Sequence, residues 1–394
     1  MIEAPVNERL AALPARGLFT AEHQELRGYV RQFVERALRP HAEEWERNGD
    51  FPVREIFALA GEVGLFGAKY GPEDGGTGPD LVADAVITEE LTGCGSGGVA
   101  AALGAHKDLG TYYLYRFGSE EQRRRWLAPA VAGRLITGLA VTEPAAGSDV
   151  GAILTKALPD GDGWVLSGSK TFVTNGPVAD LVVVAAKTAP DAGHRGISLF
   201  ALERGTRGFG ATRLDTVGWR TSHTGELVFE DCRLGPDALL GRPNEGFYQI
   251  MQNFQWERMV MALAAVAAAT RTLDLAMSYA RERSAFGRPV AKFQVWRHRF
   301  ADLATEIEAA RSLSYHALRM IVGGEDATRE VSMAKWYATE LDWRVADEAL
   351  QVHGGYGYMM EFPVQRAWRD ARLGPIGGGT TEVMKEIIGR SFGL

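Results

Sequence analysis

The chain has 394 residues, 46% of them hydrophobic and 24% charged, and a formal net charge of -7. That is enough apolar material for more than one core, so two or three domains are expected, and the acidic balance excludes an electrostatic footprint for nucleic acid. Two cysteines, Cys94 and Cys232, are too few for a disulfide framework and point to a reducing, cytoplasmic setting.

The opening stretch MIEAPVNERLAALPARGLF has an early acid and no unbroken apolar segment, so it does not read as a secretion signal. From Thr20 to about Arg134 apolar residues recur at helical spacing. Leu26, Tyr29, Val30, Phe33 and Val34 form one stripe, and Leu81, Ala85, Val86 and Leu91 lie in another. Phe51-Pro52 and KYGPEDGGTGPD interrupt the pattern. Residues 1–135 therefore read as a helical domain.

Near Leu135 the character changes. WVLSGSKTFVT, LVVVAAKT, GISLFALE and GELVFEDCRL are short, β-branched and aromatic, and are separated by turn formers such as Asp160-Gly161-Asp162-Gly163. Residues 136–242 read as a small β-barrel or sandwich. After Pro243 good helix formers return from Glu245 to Phe286, Val290 to Val322 and Thr328 to Val352. Residues 243–394 thus predict a bundle of long helices. The longest strongly apolar run, Met259 to Ala269, is shorter than the roughly 18 residues of a membrane span. The whole is mainly α with a β insert.

Some literal motifs carry no function. Gly93, Gly95 and Gly98 spell G-x-G-x-x-G, but a helical segment precedes them where a dinucleotide fold needs a strand. Ser167 to Lys170 spells S-x-x-K inside a strand-like run, without the companion motifs of a hydrolase. The eight histidines show no metal-ligand spacing. VTEPAAGSDV, followed by SKTFVTNG, is richer: hydroxyls at Thr142, Ser148 and Thr174 flank small residues. By residue type this is either a polar turn or a cradle for a phosphate-bearing cofactor. Late in the chain, GPIGGGTTEVMK lets a glycine backbone come close to something, yet the glycine loop carries no acid or base of its own ahead of its helix.

Taken together, VTEPAAGSD, KTFVTNG, GISLFALE, ELVFEDCRL, RSAFGRPVAKFQ, QVHGGYGYMMEFPVQRAWRDAR and IGGGTTEVMKEIIGR resemble the acyl-CoA dehydrogenase family, in its order and spacing, over essentially the whole chain. The resemblance implies N-terminal helices, a middle β-domain and a C-terminal four-helix bundle. It implies FAD, an acyl thioester substrate held by coenzyme A or a carrier protein, a homotetramer built as a dimer of dimers, and an electron-transfer flavoprotein as acceptor. It places the flavin along Leu139 to Ser148, including Val141 and Thr142, and along Phe172 to Thr174, with Ser148 also facing the substrate. Phe172 stands where relatives usually carry tryptophan. Arg283, Phe286, Gln294 and the segment Gln351 to Gly355 would come from a neighbouring subunit to the adenosine-diphosphate end, Arg283 supplying charge for the pyrophosphate. Thr380 to Glu382, at a helix N-terminus, would complete the site.

Dehydrogenation of this kind takes a proton from the carbon α to the thioester while a hydride leaves the β carbon, so a carboxylate must face the substrate. In many relatives that glutamate stands at the position of Gly378. In the long-chain and isovaleryl members it sits on the first bundle helix, in a Glu-Arg pair matched here by QWERMVMA, which makes Glu257 the candidate base. Its apolar followers Met259, Val260, Met261 and Leu263 make the charged form expensive, so its pKa should rise. Gly378 would offer its N–H to the thioester oxygen, Gly379 would line the substrate end, and Arg258 would contact the carrier's phosphopantetheine or phosphate. Two other readings stand beside this one: a flavin monooxygenase or nitroso-forming enzyme on the same scaffold, and a cofactor-free helical binding protein.

Overall fold

The computed structural model describes residues 17–394. Most of the N-terminal stretch discussed above, as far as Arg16, lies outside the described residues.

Six helices dominate the first domain: α1 (Ala21–Phe33), α2 (Ala42–Asn48), α3 (Val53–Glu62), α4 (Leu81–Leu91), α5 (Gly97–Gly104) and α6 (Thr111–Phe117). Thr20 opens α1 with a capping box, and Asp80 opens α4 by accepting from Val82 and Ala83 N–H, each satisfying amides a helix start leaves free. Val30 and Val34 are buried, whereas Tyr29, counted above in the same stripe, is about half exposed.

The second domain is one eight-stranded sheet: β1 (Thr137–Ala140), β2 (Lys156–Asp160), β3 (Gly163–Val173), β4 (Leu181–Lys187), β5 (Ile197–Glu203), β6 (Phe209–Arg213), β7 (Gly225–Leu234) and β8 (Leu239–Leu240). Its order is β6-β7-β3-β2-β4-β5-β8, with β1 branching onto β4 in parallel. The run LVVVAA in β4 is continuous because both faces are covered. Val182, Val184 and Ala186 enter the sheet's own core with Phe200 and Leu227, while Leu181, Val183 and Ala185 join the helical core with Trp256 and Met259. That alternation seats the sheet against the bundle.

The third domain has three long helices, α7 (Gly246–Glu282), α8 (Gln294–Val322) and α9 (Thr328–His353), then α10 (Pro363–Ala371) and α11 (Thr381–Ser391). At 37 residues α7 is about 55 Å long. By length and composition alone it could cross a membrane, a possibility the length of the Met259–Ala269 run did not register, but 61% of its most apolar window is buried inside the fold. A helix apolar all round is a core helix when neighbours surround it.

The helical runs stop short of their expected ends on one side. α7 ends at Glu282, before Phe286, and α8 starts at Gln294, after Val290. Between them Ser284–Ala285 and Arg288–Pro289 pair as a two-residue hairpin, β9 and β10, with Phe286 (φ 51°) and Gly287 (φ 76°) both left-handed. This is the turn geometry such hairpins require, and Pro289 could not have continued a helix.

The three domains meet at Asp370 on α10. Its carboxylate accepts from the Gly97 amide at 3.2 Å and from the Trp219 amide at 2.6 Å. Burial, with help from the charge of Glu46, pushes that carboxyl up to about 7.

Candidate active site

Glu257 sits on the most enclosed stretch of α7 and is 6% exposed. The hydroxyl of Tyr113, from α6 of the first domain, donates to its Oε1 at 3.1 Å. Burial pushes the Glu257 carboxyl up to about 8; the Tyr113 hydrogen bond and the Arg258 charge pull it back, and the Asp108 charge adds to the rise. The expected rise in proton affinity is therefore present, and its main cause is the apolar enclosure.

A square of buried charges lies against the same helix. Lys69 contacts Asp84 at 3.0 Å and Asp108 at 2.6 Å, and Lys107 contacts the same two acids at 2.7 and 2.9 Å. All four are within a few per cent of complete burial, and their formal charges cancel. Burial and the neighbouring Asp108 push Asp84 up; Asp108, although burial opposes it, is held low by Lys107 and Lys69. The Trp256 indole N–H donates to Asp108 at 3.1 Å, which ties the square to the residue preceding Glu257.

The late glycine loop packs on the next turn of α7. Arg258 donates through Nε to the Gly378 carbonyl at 3.3 Å, and the buried Lys335 of α9 donates to the carbonyls of Gly374 (2.8 Å) and Gly379 (2.6 Å). Gly377 N–H is taken by the Leu373 carbonyl, whereas Gly378 N–H meets no acceptor among the described residues. Gly378 is left-handed (φ 63°), and a Cβ there would stand 2.4 Å from Sδ of Met261. Met261 follows Glu257 by four residues and so shares its face of α7. The space a side chain at 378 would enter is filled by the same helix that carries Glu257. Gly379 is likewise left-handed (φ 101°) and is enclosed by Met384 and the Arg258 guanidinium.

Arg258, expected at the carrier's phosphopantetheine or phosphate, is buried, lies over the Phe254 ring at 5.2 Å and tethers the loop through the Gly378 carbonyl.

The residues expected around a flavin form two groups. In the first, Leu139 and Ala140 of β1 run on into Val141 and Thr142, where Lys170 donates to the Val141 carbonyl (2.9 Å) and Thr171 N–H to the Thr142 carbonyl (2.9 Å). These bonds bring the end of β1 beside the end of β3. Phe172 there is left-handed (φ 60°) and 68% exposed, so its ring faces outward; Thr174 is half-buried and Ser148 exposed. Thr380 caps α11 by accepting from Val383 N–H at 3.3 Å. Glu382 in that first turn is held below the usual carboxylate range by the helix-start amide and the Thr380 hydroxyl.

The second group lies at one end of the bundle. Arg283 sits over the Tyr356 ring at 5.8 Å and lines, with Tyr279, His353, Gly354 and Gly355, a cleft of about 500 Å³. Gln351 and Gln294 are exposed nearby in sequence, and Phe286 is 97% exposed. Its ring meets Phe293 edge-on at 6.3 Å and otherwise faces outward. An outward aromatic, hydroxyls and a separate arginine-lined cleft fit a dinucleotide with a flat ring system.

The motifs set aside above lie in ordinary parts of the fold. Gly93 and Gly95 lie between α4 and α5, and Gly98 lies in the first turn of α5, packed on Thr221; Ser167 bonds Asp231 at 2.8 Å; and no metal-binding cluster occurs among the described residues. Both cysteines are free and buried. Sequence reading missed Tyr113, Lys335 and the charge square. Only the square left a signal, Lys107-Asp108 inside an apolar helical stretch.

Comparison with known proteins follows the three domains. Acyl-CoA dehydrogenase models match in series: the N-terminal domain over residues 20–134, the middle domain over 138–232 and the C-terminal domain over 244–393. The mitochondrial long-chain specific acyl-CoA dehydrogenase of Sus scrofa is 40% identical over 394 residues, 99% of this chain and 91% of its own. The crystal structure of an acyl-CoA dehydrogenase from Geobacillus kaustophilus is similar at a TM-score of 0.93 and 43% identity, over 97% of this chain and 100% of that one. A chain solved in work on the electron transferring flavoprotein of Acidaminococcus fermentans is similar at a TM-score of 0.91 and 37% identity, over 95% and 98%.

Proposed function

The chain belongs to the acyl-CoA dehydrogenase family, and from that premise we propose that Glu257 is the base of its reaction. The protein is an FAD-dependent oxidoreductase that dehydrogenates acyl-CoA. Bound FAD supplies the acceptor for the hydride that leaves the substrate's β carbon.

One observation carries the reading: a buried carboxylate of raised proton affinity lies on the helix face that also fills the space beside Gly378. Glu257 takes the α proton. The free N–H of Gly378 faces the thioester oxygen and stabilises the charge that develops there, with Gly379 lining the same end. Arg258 and Lys335 hold the loop in place by its carbonyls. Leu139, Val141, Thr142, Ser148, Phe172, Thr174, Thr380 and Glu382 hold the ring half of the cofactor. Arg283, Phe286, Gln294, Gln351 and Gly355 of a second copy hold the adenosine-diphosphate half, in a dimer of dimers. The bareness of Phe286 supports this assignment. Electrons pass on to an electron-transfer flavoprotein, in keeping with the Acidaminococcus relative.

The test is Glu257→Gln in the FAD-loaded enzyme, mixed without oxygen with a panel of acyl thioesters differing in chain and carrier. The variant keeps its yellow colour and binds substrate, and its flavin bleaches at least about a hundredfold more slowly than wild type, the contribution of a positioned base. Bleaching at the wild-type rate would remove Glu257 from the role.

A further inference from the structure

We propose that Tyr113 is the positioning residue of the base: by holding Oε1 of Glu257 it leaves Oε2 as the atom that receives the substrate's α proton. This rests on the assignment of Glu257 above.

The geometry is a 3.1 Å hydrogen bond between a fully buried phenol and a nearly buried carboxylate, carried by different domains. No other protein donor among the described residues reaches Glu257, so its two oxygens are not equivalent. Oε1 is occupied, and Oε2 is free to face the substrate. Asn253, fully buried, stands one turn before Glu257 on the same face of α7, and neither of its amide atoms makes a hydrogen bond to a described residue. Burial and the adjacent Glu257 push Tyr113 well above its ordinary range, so it stays a neutral donor throughout turnover.

The step balances without the phenol giving up its proton. The α C–H bond breaks and an O–H bond forms at Oε2. The electron pair left behind closes the α,β double bond as the β hydride departs to the cofactor. Tyr113 donates to Oε1 before and after. The other charged groups facing Glu257 are Arg258 on its own helix and Asp108 from the segment before α6, itself balanced by Lys69 and Lys107.

The experiment measures anaerobic flavin reduction against pH in FAD-loaded Tyr113→Phe. Loss of the donor raises the midpoint of the ascending limb by about one to two pH units, the worth of a hydrogen bond to a charged group, so the rate is about tenfold or more lower near pH 7 and recovers in alkali. Replacing Tyr113 by 3-fluorotyrosine, a more acidic donor that keeps the ring, moves the midpoint down. Midpoints unchanged in both proteins would overturn the proposal and leave Tyr113 a packing residue. The two assignments fail separately: a fast Glu257→Gln enzyme removes the base itself, whereas an inactive Glu257→Gln with unmoved Tyr113 midpoints removes only Tyr113's part.

Discussion

The indole of Trp256 donates to Asp108 at 3.1 Å, so the residue next to Glu257 is fastened to a buried square of two lysines and two aspartates. A paired charge in such a place is close to neutral for stability, but removing one member strands the others. Lys107→Met should cost about 3–5 kcal/mol, because Asp84 and Asp108 are left sharing one ammonium. Chemical denaturation of the FAD-loaded protein measures it, and a change below about 1 kcal/mol would mean the square is wet or rearranges easily.

Activity should depend on pH through Glu257. The carboxyl works only when ionised, and burial raises it to about 8, so the flavin-reduction rate climbs between about pH 7 and 9 and then levels off. Stopped-flow reduction across that range checks this. A flat profile would contradict it.

The same shift sets a stability trend. Below 4.5, the ordinary value for glutamate, the group is protonated folded or unfolded and contributes no difference. From there to about 8 the unfolded chain ionises while the folded one does not, so the native state loses ground as pH rises, by up to about 1.4 kcal/mol per pH unit. Glu257→Gln removes the penalty. Its melting temperature should approach that of the parent near pH 4.5 and exceed it at pH 8.5.

Gly378→Glu should be poorly tolerated by itself. Left-handed backbone costs a side chain about 1–2 kcal/mol, and its Cβ would meet Met261 Sδ at 2.4 Å. In a Glu257→Gln background, adding Met261→Ala to Gly378→Glu opens the space and should return part of the lost flavin reduction. Gly378→Glu without the change at 261 should not. Equal activity of the two would show that Met261 is no obstacle.

Arg283→Ala tests the second cofactor group. Loss of a charge-assisted contact to a pyrophosphate should weaken FAD retention about tenfold to a hundredfold, read by fluorescence of released flavin on dilution. Unchanged retention would place the pyrophosphate elsewhere.

The domain plan was legible because its signals are periodic: the LVVVAA run of β4 and the apolar repeats of α7 to α9 each carry their own geometry. Glu257 became a candidate through the likeness of QWERMVMA to the long-chain and isovaleryl members, and the apolar residues that follow it predicted only the raised proton affinity. Tyr113 was not, since Tyr112 and Tyr115 flank it and only the packing of α6 on α7 selects one ring. Lys335 reads as one more helix former until the loop forty residues later folds over it. The hairpin at Arg283 was missed because Phe286 has no preference for a left-handed turn. Gly287 and Pro289 were the cues to a break there.

Met261 also couples two positions far apart in sequence. Its thioether occupies the room beside the late loop, so an acid grafted at 378 must either push that flexible side chain aside or be accompanied by a smaller residue at 261.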